Sequence, residues 1–169
     1  MASKALFLDR DGVINIEKNY LYKIDDFEFI DGIFELCKSF LEKGYIVVVV
    51  TNQSGIARGY YTTDQFLQLT DYMEQQFYKN GITISKTYYC PHHPDITGEC
   101  DCRKPKPGML LDAAKDFNID LSESIMIGDK QRDLEAAFRA GVLTRILFNS
   151  NEESKFATSV VDNFKKILE

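Results

Sequence analysis

Phe7-Leu8-Asp9-Arg10-Asp11-Gly12 is the stretch from which the rest of the chain can be read. Ahead of it, Lys4-Ala5-Leu6-Phe7-Leu8 is short and mostly apolar, the pattern of a strand buried on both faces, and it stops at two acids one residue apart. Carboxylates that close repel each other, and taking them out of water costs on the order of several kcal/mol unless a cation or matched hydrogen bonds compensate. The pair therefore points to a metal or a proton-sharing site, and Gly12 gives the backbone freedom for a sharp turn. Taken alone, the segment reads equally well as a strand running out into a polar turn. The remainder of the chain decides between the two.

The pattern recurs. Tyr45-Ile46-Val47-Val48-Val49-Val50 is a continuous β-branched run, read as a central parallel strand, and it ends in Thr51-Asn52-Gln53-Ser54-Gly55. Ser124-Ile125-Met126-Ile127 is read as a strand ending in Gly128-Asp129-Lys130, and 84–89 and 143–148 as two more. Helices are expected between them. Asp31 is read as the cap of one carrying Ile33, Leu36, Cys37, Phe40 and Leu41 on its apolar face, with Gly44 at its end. Thr62 and Gln65 form a capping box for a second helix, with Phe66, Leu69, Met73 and Phe77 on one face and a close at Asn80-Gly81. A third begins near Gly108 and buries Met109, Leu110, Ala113 and Phe117; a fourth runs 132–140 and closes at Gly141. Residues 160–168 supply a short strand or turn and a last helix, while 15–29 has no clean period and reads as an ordered loop over the first strand end.

Strands alternating with helices imply an α/β fold: a parallel sheet of about five strands, flanked by helices on right-handed crossovers. In such sheets the ligand lies at the carboxyl ends of the strands, where the strand order switches. Asp9, Asp11, Thr51 and Asp129 all fall there by independent readings.

At 169 residues the chain is expected to be one domain with a full core. Its 44% hydrophobic and 27% charged residues are ordinary for a soluble protein, and no apolar run is long enough to span a membrane. Met1-Ala2-Ser3-Lys4 leads into the strand without a signal-peptide core, so the expected address is the cytoplasm. A net charge of -6 opposes binding to nucleic acid, so any phosphate handled should belong to a small molecule met by local positive groups.

Asp9, Asp11 and Asp129, the hydroxyl of Thr51 and Lys104 at the end of a sheet suit phosphoryl transfer. Carboxylates bind Mg2+, which shares its shell with substrate phosphate, while Thr51 and Lys104 add donors. There is no Walker sequence and no GxGxxG. Phe7-Leu8-Asp9-Arg10-Asp11-Gly12, Thr51-Asn52-Gln53, Arg103-Lys104-Pro105 and Ile127-Gly128-Asp129-Lys130 resemble, in order, the four motifs of the haloacid dehalogenase (HAD) superfamily. More narrowly, 51–59, Cys90-Pro91-His92-His93-Pro94 and Cys100-Asp101-Cys102-Arg103-Lys104-Pro105 resemble the D-glycero-D-manno-heptose 1,7-bisphosphate 7-phosphatases, relatives of the histidinol-phosphate phosphatases.

That resemblance implies a single Rossmann-like HAD domain over residues 1–169, with a minimal cap, acting on a phosphorylated sugar on the way to ADP-heptose for the lipopolysaccharide core. It implies Asp9 as nucleophile, forming an aspartyl-phosphate, and Asp11 as the acid that protonates the leaving oxygen and then activates water. Mg2+ would sit on Asp9, Asp129 and the backbone carbonyl of Asp11. Thr51 and Lys104 would hold the transferring group, and Asn52, Gln53 and Ser54 belong to the substrate loop. Arg10, Arg58 and Arg103 are placed to face the mouth and meet a second anionic group, unless they are solvent-facing arginines balancing an acidic chain. Lys130 reaches a phosphate and Asp133 orients the metal's waters, or both lie in a solvated first helical turn. The lack of a large cap insertion fits a small monomer. The rival readings are a histidinol-phosphate phosphatase and an inactive zinc-stabilised binding module.

Cys90-x-His92-x7-Cys100-x-Cys102 supplies three sulfurs and one imidazole, enough for a closed, structural Zn2+ site that would staple its loop and set Arg103 and Lys104 in place. His93 is the alternative imidazole, and reduced, unliganded thiols are the alternative to a metal. Cys37 lies in an apolar helical pattern and reads as core.

Overall fold

The apolar run ahead of the acid pair forms β1 (Lys4–Leu8) in the computed structural model, which describes residues 1–169. A 3-10 turn (Ile24–Asp26) lies in the connection to α1 (Ile33–Glu42), followed by β2 (Tyr45–Asn52), α2 (Thr63–Lys79) and β3 (Ile84–Cys90). Then come the short α3 (Pro94–Thr97), α4 (Gly108–Phe117), a 3-10 turn (Leu121–Glu123), β4 (Ile125–Gly128), α5 (Gln131–Ala140), β5 (Thr144–Phe148), β6 (Ser159–Val161) and α6 (Lys165–Leu168). Every strand pair is parallel, and the order across the single sheet is β3-β2-β1-β4-β5-β6.

Continuous apolar strands follow from burial on both faces. Leu6, Leu8, Val47 and Val49 pack with Ile33, Leu36 and Phe40 of α1 on one side of the sheet. Ala5, Phe7, Val48 and Val50 pack with Met109, Leu110 and Ala113 of α4 on the other. Val47 to Val50 are fully buried, and each contributes about 1.5–3 kcal/mol by leaving water. Phe117, at the end of α4, is only half-buried.

Two expectations change. The sheet has six strands, because β6 pairs with β5 at Ile146, Leu147 and Phe148; with two of its three residues exposed, it lacks the apolar signature of the others. Asp31 does not cap α1: the N-cap is Gly32 at φ 91, with no side-chain cap bond. The capping box at Thr62 and Gln65 forms as expected, and Gly141 closes α5 at φ 102.

Between β1 and β4 the strand order switches, since the chain leaves β1 toward β2 and returns on the far side as β4. The Asp9 amide donates to the Ile127 carbonyl at 3.2 Å, which ties the first acid pair to the end of β4. No connection at the carboxyl ends carries an inserted domain; the longest spans 9–32. No helix is long and apolar enough to cross a membrane.

Candidate active site

Asp9 follows β1, Asp129 follows β4, and Asp133 sits in the first turn of α5; carboxylate oxygens of the three lie within 4.8 Å of one another. Into them reaches Lys104, 1% exposed, with Nζ 2.7 Å from Asp133 Oδ1 and 3.0 Å from Asp9 Oδ1, and donating to the Val50 carbonyl at 2.9 Å. Asn52 at the end of β2 fixes the lysine's backbone from both sides, accepting from its N–H at 3.0 Å and donating to its carbonyl at 3.2 Å.

Three carboxylates against one ammonium leave the cluster short of positive charge. Burial pushes the Asp9 carboxyl well above its usual range, helped by Asp133, Asp129 and Asp11 and opposed by Lys104. Burial, with Asp133 beside it, raises Asp129 to about 6. Burial also pulls the Lys104 ammonium down, but Asp133 and Asp9 outweigh it and hold the group above its ordinary value. Asp129 Oδ1 is buried without a hydrogen-bond partner. An unpaired carboxylate oxygen among mutually repelling acids fits a divalent cation. Gly12 leaves room for that carboxylate: at φ 89, a Cβ there would stand 2.0 Å from Asp129 Oδ2.

A cavity of about 340 Å3 opens at the acids, lined by Asp9, Asp11, Lys104 and Asp129. Asn52, Gln53, Ser54, Arg58, Arg103 and Lys130 also line it. Arg58 lies over the Tyr20 ring at 5.7 Å, and Arg103 Nη1 donates to the His92 carbonyl at 3.4 Å. Lys130 pairs loosely with Glu152 at 3.6 Å.

The thiol cluster lies one residue from this wall. Cys102 Sγ is 2.6 Å and Cys100 Sγ 3.6 Å from Cys90 Sγ, and His92 Nδ1 is 3.5 Å from Cys90 Sγ and 3.3 Å from Cys102 Sγ. Burial raises the Cys90 and Cys102 thiols, whereas Cys100 overcomes its burial through backbone hydrogen bonds at Arg103 and Cys102 and falls to about 7. Three sulfurs and one imidazole drawn to a point are the donor set of a closed zinc site. His93 is turned away, its Nδ1 accepting from the Asp95 amide at 3.2 Å.

A HAD-hydrolase-like family model matches residues 101–164. The chain is 52% identical over 168 residues to the D-glycero-alpha-D-manno-heptose-1,7-bisphosphate 7-phosphatase of Campylobacter jejuni, covering 99% of this chain and 95% of that protein. It is 49% identical to the D-glycero-beta-D-manno-heptose-1,7-bisphosphate 7-phosphatase of Photorhabdus laumondii, covering 94% and 89%. The chain belongs to the heptose-bisphosphate phosphatase family of HAD hydrolases. Its fold is also similar to the crystal structure of D,D-heptose 1,7-bisphosphate phosphatase from B. bronchiseptica complexed with magnesium and phosphate. There the TM-score is 0.86 and the identity 31%, with 98% of each chain covered.

Against that family background, most residues expected at the site converge on the cavity, and two do not reach it. Arg10 is a correction: it is 1% exposed, its guanidinium turned inward between Phe27 and Phe66 at 6.0 and 5.8 Å, where it bonds Asp11 and the Leu21 carbonyl rather than facing the mouth. Thr51, also 1% exposed, lies off the cavity wall; its hydroxyl accepts from Gln53 Nε2 at 2.9 Å and has only a long 3.4 Å contact for its own proton. Asp133, read as a metal orienter or a solvated residue, is fully buried, bound to Lys104 and accepting from the Lys130 amide at 3.1 Å. Sequence reasoning missed Glu17, Asn19, Tyr20, Tyr61 and Arg132 on the cavity wall. Asn19 and Tyr20 both carry positive φ, 53 and 55, a conformation bulky residues avoid.

Proposed function

We propose that this chain is a Mg2+-dependent phosphatase that hydrolyses the 7-phosphate of D-glycero-D-manno-heptose 1,7-bisphosphate, a step toward ADP-heptose for the lipopolysaccharide core, with residues 1–169 acting as one catalytic domain. The observation that carries this reading is the buried Asp9–Lys104–Asp133 cluster at the strand-order switch, opening into a cavity with Arg58, Arg103 and Lys130 on its wall. One phosphoryl group is served at the acid end. The cations beyond it suit a second anionic group on the substrate.

Asp9 is assigned as nucleophile: a carboxylate oxygen attacks phosphorus, the bond to the sugar oxygen breaks, and its electron pair stays on that oxygen. Asp11 protonates the leaving oxygen and is left as a carboxylate. It then takes a proton from the water that attacks the aspartyl-phosphate, so inorganic phosphate leaves and both acids return to their starting states. Lys104 donates to the phosphoryl oxygens, while Thr51, off the cavity wall, accepts from Gln53 Nε2 and helps hold that side chain. Mg2+, held by Asp9, Asp129 and the Asp11 backbone carbonyl, would offset charge on the transferring group. Burial disfavours the charge on Asp9 and Lys104 favours it, and a Mg2+ on the same acids would favour it further. Zn2+ on Cys90, His92, Cys100 and Cys102 would be structural, fastening the loop that carries Arg103 and Lys104.

The test is phosphate release with Mg2+ across heptose bisphosphate, its monophosphates and histidinol phosphate. The bisphosphate is expected to lead in kcat/KM by at least about tenfold, and Arg103→Ala to remove about 1.5–3 kcal/mol of that preference, the worth of a hydrogen bond to a charged group. Equal values for bisphosphate and monophosphate would put histidinol phosphate first.

A further inference from the structure

Asp11 lies on the cavity wall, yet its carboxylate is gripped from behind. Oδ1 accepts from Arg10 Nη2 at 3.0 Å, Arg10 Nε at 3.3 Å and Asn15 Nδ2 at 3.0 Å; Oδ2 accepts from Arg10 Nη2 at 3.1 Å and Gln53 Nε2 at 3.2 Å. Arg10 is itself buried, packed between two aromatic rings with Nη2 also tied to the Leu21 carbonyl at 3.0 Å. Gln53 is the member of the set at the cavity, 3% exposed, and its Nε2 divides between Asp11 and Thr51. The opposite end of that amide, Oε1, is held by the Tyr61 hydroxyl, which donates to it.

Tyr61 has been given a seat for this. Its ring is 4% exposed and stacks on Tyr22 with centroids 5.5 Å apart and planes 16° from parallel. It passes so close to Gly55 that a Cβ there would stand 2.2 Å from a ring carbon. The loop after β2 thus spends a glycine on admitting the ring, and the ring's only polar atom is directed at Gln53.

We propose that Tyr61 is a positioning residue: through Gln53 it fixes the Asp11 carboxyl, with Arg10 and Asn15, in the orientation that delivers its proton to the leaving sugar oxygen. The proposal rests on Asp11 as the acid of the proposed function. Tyr61 and Gln53 neither give nor take the transferred proton, which passes from Asp11 to the oxygen as the P–O bond breaks and its electron pair stays on oxygen. Loosening the Asp11 carboxyl by a fraction of an ångström should therefore slow the step that needs the proton and spare substrates that do not.

The experiment compares Tyr61→Phe, Gln53→Met and the double variant with the parent enzyme on heptose bisphosphate and on para-nitrophenyl phosphate, whose leaving group needs no proton. Tyr61→Phe is expected to lower kcat on the sugar by about tenfold, with KM and the aryl-phosphate kcat both within about twofold. The double variant is expected to be no slower than Gln53→Met, since the two residues act along one line. Unchanged kcat on the sugar, equal losses on both substrates, or additive losses in the double variant would each overturn the role. Asp11→Asn, run alongside, separates this from the underlying reading. Equal losses on both substrates there would remove the acid itself, whereas a sugar-selective loss there with none in Tyr61→Phe would remove only Tyr61.

Discussion

The two clusters able to hold a metal stand one residue apart in the chain, Cys102 in one and Lys104 in the other, and they are built in opposite ways. The acid cluster is mounted on the ends of β1 and β4 and the first turn of α5, and it already contains a cation, Lys104, at 2.7 Å and 3.0 Å from two of its carboxylates. The thiol cluster gathers ligands from the end of β3 and the loop before α4, and no lysine or arginine is among them. One site is rigid in its frame and electrostatically unfinished, with an orphan oxygen on Asp129 and a cavity in front of it. The other has four ligands for four positions and leaves none for a substrate. An open, cation-poor site on a sheet is arranged for chemistry, and a filled one on a loop for shape.

The contrast breaks first on exchange of one ligand from each. Asp9→Asn keeps the side chain's shape and removes its nucleophilic charge, so turnover is expected to fall by at least about a thousandfold while the melting temperature holds or rises. Cys100→Ser is expected to cost the protein its roughly one zinc per chain, by elemental analysis of protein prepared without added metal, and to lower the melting temperature along with activity. Zinc retained in Cys100→Ser, or none in the parent protein, would dissolve the distinction.

Lys104→Met sharpens it. Removing the buried ammonium leaves Asp9 and Asp133 facing each other without a cation, a loss of about 3–5 kcal/mol in urea unfolding, and Mg2+ is expected to restore part of it. Stability unchanged without Mg2+ would mean that the acids are not held against their own repulsion.

Smallest is the effect of pH on the Mg2+-free protein. Asp129 binds its proton more tightly folded, at about 6, than its ordinary 3.8, so its contribution to stability is complete below about 4 and is lost as pH rises through about 6. Added Mg2+ is accordingly expected to raise the melting temperature more at about pH 8 than at about pH 5. A Mg2+ effect that shrinks with rising pH would contradict the sign.

What could be read from the sequence follows the same division. Asp9, Asp11 and Asp129 are legible because each ends an apolar run, and acids there have no structural reason to exist. The thiols are legible from spacing, although the choice of His92 over His93 depends on a backbone turn that lets Asp95 claim the second ring. Arg10 misleads because a side chain between two site acids can point either way, and Phe27 and Phe66, distant in sequence, draw it inward. Asp133 reads equally as an orienter of the metal's waters or as part of a solvated helix start, and only the fold shows that Lys104 reaches it. Tyr61 carries no motif; its place is encoded by the absent Cβ of Gly55 and the ring of Tyr22. β6 escapes because its three residues at the sheet edge bury too little to leave a pattern.

The decisive measurement is phosphorus NMR of heptose 1,7-bisphosphate turned over by the Mg2+-loaded protein, since loss of the phosphate at C7 is common to both anomers. The expected spectrum loses the C7 phosphate signal, gains inorganic phosphate in equal amount and keeps the C1 phosphate intact, with no change when Asp9→Asn replaces the parent protein. Release of the C1 phosphate, or a bisphosphate left untouched while histidinol phosphate is consumed, would contradict the assignment.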